Sequence, residues 1–97
     1  MKKPEECTSI DEVREHINKI DEHIMSLFGT RFQFVQEVTK YKKPDTNSII
    51  AHERRSKVLQ RIRDLAVKNK LNPDQFEKMY AQLIEHFIQE EIKLMHK

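Results

Sequence analysis

Ninety-seven residues, 37% of them hydrophobic and 35% charged, are enough for one domain with a lean core and too few for two. One Gly and three Pro supply little turn chemistry for a β fold, and a formal net charge of +2 does not by itself argue for nucleic acid. Cys7 is the single cysteine, which excludes an internal disulfide and points to a reducing compartment. The opening MKKPEEC has no apolar stretch of the signal-peptide kind and no apolar run reaches transmembrane length. A cytoplasmic protein that engages no membrane is therefore expected.

In chain order, residues 1 to 8 read as an extended lead-in. Ser9 followed by Glu12 fits a capping box, with Asp11 and Glu12 favourable to the helix dipole. The first helix is predicted from about Ile10 to Tyr41. Val13, Ile17, Ile20, Ile24 and Leu27 follow Ile10 at alternating spacings of three and four, and Phe34 and Val38 continue the stripe. Gly29 lies inside this helix, but the apolar phase is the same on both sides of it, so no break is expected there.

Lys42–Ser48 is a loop by composition, and Pro44 disfavours helix at Lys43. A second helix is predicted from near Ile50 or Ala51 to Asn69 or Lys70, with Val58, Leu59, Ile62, Leu65 and Ala66 on one face. Asn72-Pro73-Asp74-Gln75 marks the next helix start. Asn72 is its N-cap, Pro73 lies in its first turn and Gln75 takes the capping-box position, with Leu71 and Phe76 as a hydrophobic staple. The third helix carries Phe76, Tyr80, Leu83, Ile84, Phe87, Ile88 and Leu94 inward and runs to the C-terminus. The expectation is an all-α chain of three helices forming one domain over residues 1–97.

The length of the first helix bears on assembly. Some 31 helical residues span roughly 46 Å, whereas a compact domain of this size is only about 32 Å across. Such a helix overhangs its own chain and exposes its apolar stripe. A second copy covering that stripe resolves both problems, so an interlocked two-fold homodimer is expected. The alternative is a helix broken at Gly29 in a monomeric bundle.

Two charges interrupt the apolar stripes. Arg31 occupies the slot between Leu27 and Phe34, and Glu91 follows Ile84 and Phe87 in the third helix. A buried charge must be paired or neutralised. Arg31 therefore meets either a protein carboxylate, Glu53 or Glu91, or the carboxylate of a ligand. Lys42 lies eleven residues after Arg31, within about 20° of the same helical face and roughly 16 Å further along. Together the two could bracket a small dicarboxylate; otherwise Lys42 is a solvated helix end. Arg14 lies roughly 25 Å from Arg31 along the axis. It is either an exposed cation paired with Asp11 or Asn18, or a residue that approaches Arg31 of an antiparallel second copy. Glu91 either pairs with one of these cations or serves a pocket as hydrogen-bond donor or acceptor.

The five histidines show no HExxH motif and no His/Cys cluster, so no zinc site is expected. The basic run HERRSKVLQRIR spreads its cations around the helix without interleaved aromatics and reads as a solvated face.

Several of these features recur together. KPEECTSIDEVREHINKID carries Arg14 inside V-R-x-x-I-x-x-I-D. It is followed by G-x-R-F with Arg31, the pair Tyr41-Lys42, H-E-R over residues 52–54, and F-x-x-x-Y-x-x-L-I-x-x-F-I-x-x-E-I in the third helix. In this order and spacing the chain resembles the all-helical chorismate mutase family (the type II fold). Within that family it is most similar to the isochorismate pyruvate lyases that make salicylate for siderophores. The resemblance implies an intertwined dimer of three-helix chains. It implies that Arg14 enters the site from the partner chain, and that Arg31 and Lys42 bind substrate carboxylates, with Lys42 also near the ether oxygen. Glu91 would hydrogen-bond that oxygen. Mutases of the family carry an Asp and an Arg where this chain has Ile49 and His52, which leaves Glu53 as a possible hydroxyl acceptor and favours the lyase reaction. The lyases carry Gln where this chain has Glu91, and a carboxyl donates to an ether oxygen only when protonated. The implied reaction is pericyclic and calls for no cofactor and no metal. The alternatives are a dedicated chorismate mutase, or a non-catalytic helical dimer that binds a protein or nucleic acid.

Overall fold

The computed structural model describes residues 2–41 and 52–95, and the protein is all-helical among them. A single 3₁₀ turn over Pro4–Glu6 precedes α1, Ile10–Val38, which tightens into a 3₁₀ turn over Thr39–Tyr41. Two further helices follow, α2 over His52–Lys68 and α3 over Pro73–Met95. The chain divides into two compact units, Met1–Phe34 and Val35–Lys97. No helix among the described residues is long and apolar enough to cross a membrane. The expected loop from Lys42 to Ser48 and the start of the second helix at Ile50 or Ala51 lie outside the described residues.

In the first unit, α1 begins where its cap residue predicts. Ser9 Oγ accepts the backbone N–H of Glu12 at 3.1 Å. The other half of the expected capping box is displaced by one residue. The Glu12 carboxylate accepts the backbone N–H of Thr8 at 3.2 Å and the Thr8 hydroxyl at 3.1 Å. Lys2 adds an ion pair to the same carboxylate at 2.6 Å. These bonds, the Lys2 pair first and the Thr8 backbone second, hold the Glu12 carboxyl down at about 2. The helix passes through Gly29 without interruption, and a Cβ there would meet nothing within 4 Å.

The seam of α1 is exposed. From Val13 at 38% to Phe34 at 70%, every stripe residue from Ile10 to Val38 keeps a third or more of its surface open. Contiguous apolar surface of this kind marks an interaction face.

In the second unit, α2 and α3 pack against each other as a helical hairpin. Their joint is a Schellman turn. Leu71 N–H donates to Ala66 O at 2.8 Å and Lys70 N–H to Val67 O at 3.1 Å, with Lys70 in the left-handed region at φ 61°. Asn72 Oδ1 then accepts the Gln75 N–H at 3.1 Å and caps α3 as predicted. Arg63 of α2 bridges to Asp74 at 2.8 Å and Glu77 at 2.7 Å on α3, and Arg55 lies 3.8 Å from Glu85. Ala66 and Ile88 are the buried apolar residues among those described.

Candidate active site

Arg14 sits in the second turn of α1. It is exposed and, among the described residues, makes no ion pair, so the pairing with Asp11 considered above does not form. Arg31 lies seventeen residues further on, half-buried, with its Nη1 atom shielded from solvent. Because α1 is unbroken between them, their Cα atoms are about 26 Å apart along one axis. Side chains of one copy of α1 therefore cannot grip the same small molecule.

Glu91 is buried at 6% exposure, the sole charged residue so enclosed among those described. The turn spacing of α3 sets it one turn beyond Ile88, on the face that packs inward. A carboxyl at this depth must be paired, hydrogen-bonded or protonated, because a desolvated lone anion costs several kcal/mol. Lys42 and the side chain of Glu53 lie outside the described residues, as do Ile49 and the side chain of His52. The structure thus places three of the five expected site residues, Arg14 and Arg31 on α1 and Glu91 on α3.

The basic run of α2 is partly consumed within the hairpin. Arg55 and Arg63 face α3 carboxylates, so these two cations serve the hairpin, whereas a wholly solvated face was expected.

One grouping was not foreseen. Cys7, Glu12 and His16 place their Sγ, carboxylate oxygen and ring nitrogen within 4.8 Å of one another, although the sequence shows no zinc-type motif. Glu12 and His16 are four residues apart on α1, a spacing visible in the sequence. The approach of Cys7 was not visible, because it depends on the Pro4–Glu6 turn and on the bonds from Thr8 to Glu12.

Comparison with known proteins adds to this geometry. The family model for chorismate mutase type II matches residues 13–92. An isochorismate pyruvate lyase of Pseudomonas aeruginosa is 34% identical over 93 residues, covering 96% of this chain and 91% of that protein. A bifunctional chorismate mutase/prephenate dehydratase of Buchnera aphidicola subsp. Schizaphis graminum is 29% identical over 84 residues, 87% of this chain but 22% of that larger protein.

Proposed function

The chain belongs to the chorismate mutase type II family, and from that premise we propose that it is an isochorismate pyruvate lyase working as a two-fold dimer, each chain a single domain over residues 1–97. The observation that carries the lyase reading is the match to the Pseudomonas lyase, which extends over nearly the whole of both chains. The dimer reading is supported by the exposed α1 seam and by the separation of Arg14 from Arg31 on one unbroken helix. Two antiparallel copies of α1 would bury the seam and bring Arg14 of one toward Arg31 of the other.

In this reading the substrate dianion is held by Arg31 and Lys42 of one chain and Arg14 of the partner. The reaction transfers a hydrogen from the ring to the enolpyruvyl side chain as the C–O bond breaks, giving salicylate and pyruvate. The cations fix a reactive conformer and stabilise charge growing on the ether oxygen. Lys42 supplies the largest electrostatic contribution. Glu91, when protonated, donates a hydrogen bond to the same oxygen, and Glu53 accepts one from the ring hydroxyl. Salicylate made in the cytoplasm for a siderophore is the corresponding biological setting.

A second reading, dedicated chorismate mutase, draws on one specific feature. Glu91 stands where the lyases of the resemblance have Gln. Side-by-side turnover of isochorismate and chorismate separates the two. Faster formation of fluorescent salicylate supports the lyase, and faster formation of prephenate replaces it with the mutase. If Glu91 acts as a donor, activity falls as pH rises and Glu91→Gln flattens that fall; an unchanged profile removes Glu91 from the role.

A further inference from the structure

The Cys7, Glu12 and His16 grouping shares the first two turns of α1 with Arg14 but contains none of the residues assigned to the dicarboxylate, and nothing in that chemistry uses it. Two separate pieces of backbone build it. Glu12 and His16 share a face of α1 at i and i+4. Cys7 is carried up to that face by the Pro4–Glu6 turn, and the following residue, Thr8, fastens it there through both of its bonds to Glu12. All three residues are half-buried, and their donor atoms lie within 4.8 Å of one another.

His16 supplies an independent observation. Its Nδ1 atom is shielded from solvent and has no hydrogen-bond partner among the described residues. A buried ring nitrogen left in this state is costly and calls for an explanation. A thiolate, a carboxylate and an imidazole together form a donor set that suits zinc-class ions, whereas calcium and magnesium prefer oxygen alone.

We propose that Cys7, Glu12 and His16 bind one zinc-class divalent ion per chain, with water or an external ligand in the fourth position. Tetrahedral zinc holds such donors roughly 3.3–3.8 Å apart, so rotamer changes suffice to close the set. Binding displaces the thiol proton of Cys7 and turns the exposed Lys2 ammonium away from Glu12, which retains a free lone pair. The ion then fastens the lead-in to the first two turns of α1, the turns that also carry Arg14. Its place is structural, and the proposed lyase chemistry does not pass through it.

Cobalt(II) titration of the untagged full-length chain tests the site, with zinc competition as the affinity measurement. Because Cys7 is the single cysteine, a sulfur-to-cobalt charge-transfer band reports on it alone. The expected result is saturation at one equivalent with tetrahedral visible bands, both removed by zinc. Cys7→Ser abolishes the charge-transfer band, and His16→Ala and Glu12→Gln each weaken zinc binding at least about tenfold. His23→Ala, on the same helix outside the cluster, leaves binding unchanged, and circular dichroism confirms that each variant folds. Should His16→Ala not fold, His16→Gln takes its place. Absence of the band in the parent chain overturns the proposal. So does a band unaffected by loss of His16, which would signify an isolated thiol binding metal by itself.

Discussion

The α2–α3 hairpin and the α1 helix carry equally regular apolar stripes, yet the two satisfy them differently. The hairpin closes part of its stripe within one chain, although Leu65 at 40% and Leu94 at 36% stay exposed. A Schellman turn and an Asn cap join its helices, Arg63 ties them together at the turn, and Ala66, Ile88 and Glu91 are buried. On α1, the residues from Ile10 to Val38 leave their stripe open. The lesson is that a regular seam states only that burial is required. Whether the covering surface belongs to the same chain depends on what the rest of that chain supplies. Here α1 leaves its stripe open with Arg31 in the same seam, and the dimer proposed above is what would cover it.

The comparison breaks most severely if the α1 seam is charged. Ile20→Asp places a carboxylate in the proposed interface, and its burial is expected to cost about 3 kcal/mol or more per copy. Light scattering after size exclusion should then register monomer in place of dimer, together with a lower melting temperature. An unchanged dimer would mean that the seam is not the interface.

Next in size is the chemistry. Lys42→Ala is expected to lower kcat for salicylate formation about 10²- to 10³-fold, the usual cost of losing one preorganised charge at a developing anion. Circular dichroism and oligomeric state should not change. A loss confined to KM would reassign Lys42 to uniform substrate binding.

Within the hairpin, Lys70→Gly should stabilise by about 0.5–1 kcal/mol, because Lys70 occupies the left-handed position that glycine takes without a steric cost. Chemical denaturation measures it as a raised midpoint at constant slope. A lowered midpoint would mean that the Lys70 side chain contributes more than its backbone strain costs.

The smallest effect is confined to acid. Glu12 has its folded value depressed to about 2 from an ordinary 4.5, so its contribution is complete above pH 4.5 and is lost as pH falls from there toward 2. Lys2→Met removes the leading cause of that depression and should shrink the loss of helicity across this window. A Lys2→Met curve that superimposes on the parent would show that the ion pair is not coupled to folding.

How much of this was legible in the sequence varies with the range of the interaction. The start of α1 at Ile10, its continuity through Gly29 and the Asn72 cap of α3 follow from periodicity and local hydrogen-bond chemistry, and all three appear where expected. Tyr41 falls in a 3₁₀ turn beyond the end of α1. The left-handed Lys70 gave no signal, because Gly is the residue that advertises such a turn. Glu12 fits the capping box in spacing, but its carboxylate turns to Thr8 and Lys2, since three donors converge there. Arg31 and Glu91 were legible as charges interrupting apolar stripes, and their burial agrees. The cluster at Cys7 was not legible, because it depends on a turn that brings non-periodic residues onto a helix face. The proposed approach of Arg14 to Arg31 of a second copy rests on the length of α1 and its exposed seam.

The central claim is a site shared between chains, and subunit mixing tests it directly. Arg14→Ala and Arg31→Ala homodimers should each be nearly inactive toward isochorismate. When the two are unfolded and refolded together, random pairing makes half of the dimers hybrid, and each hybrid holds one intact site, so about one quarter of parental activity should return. Hybrid dimers that form, as verified by native mass spectrometry, but recover no activity would contradict a site built from Arg14 of one chain and Arg31 of the other.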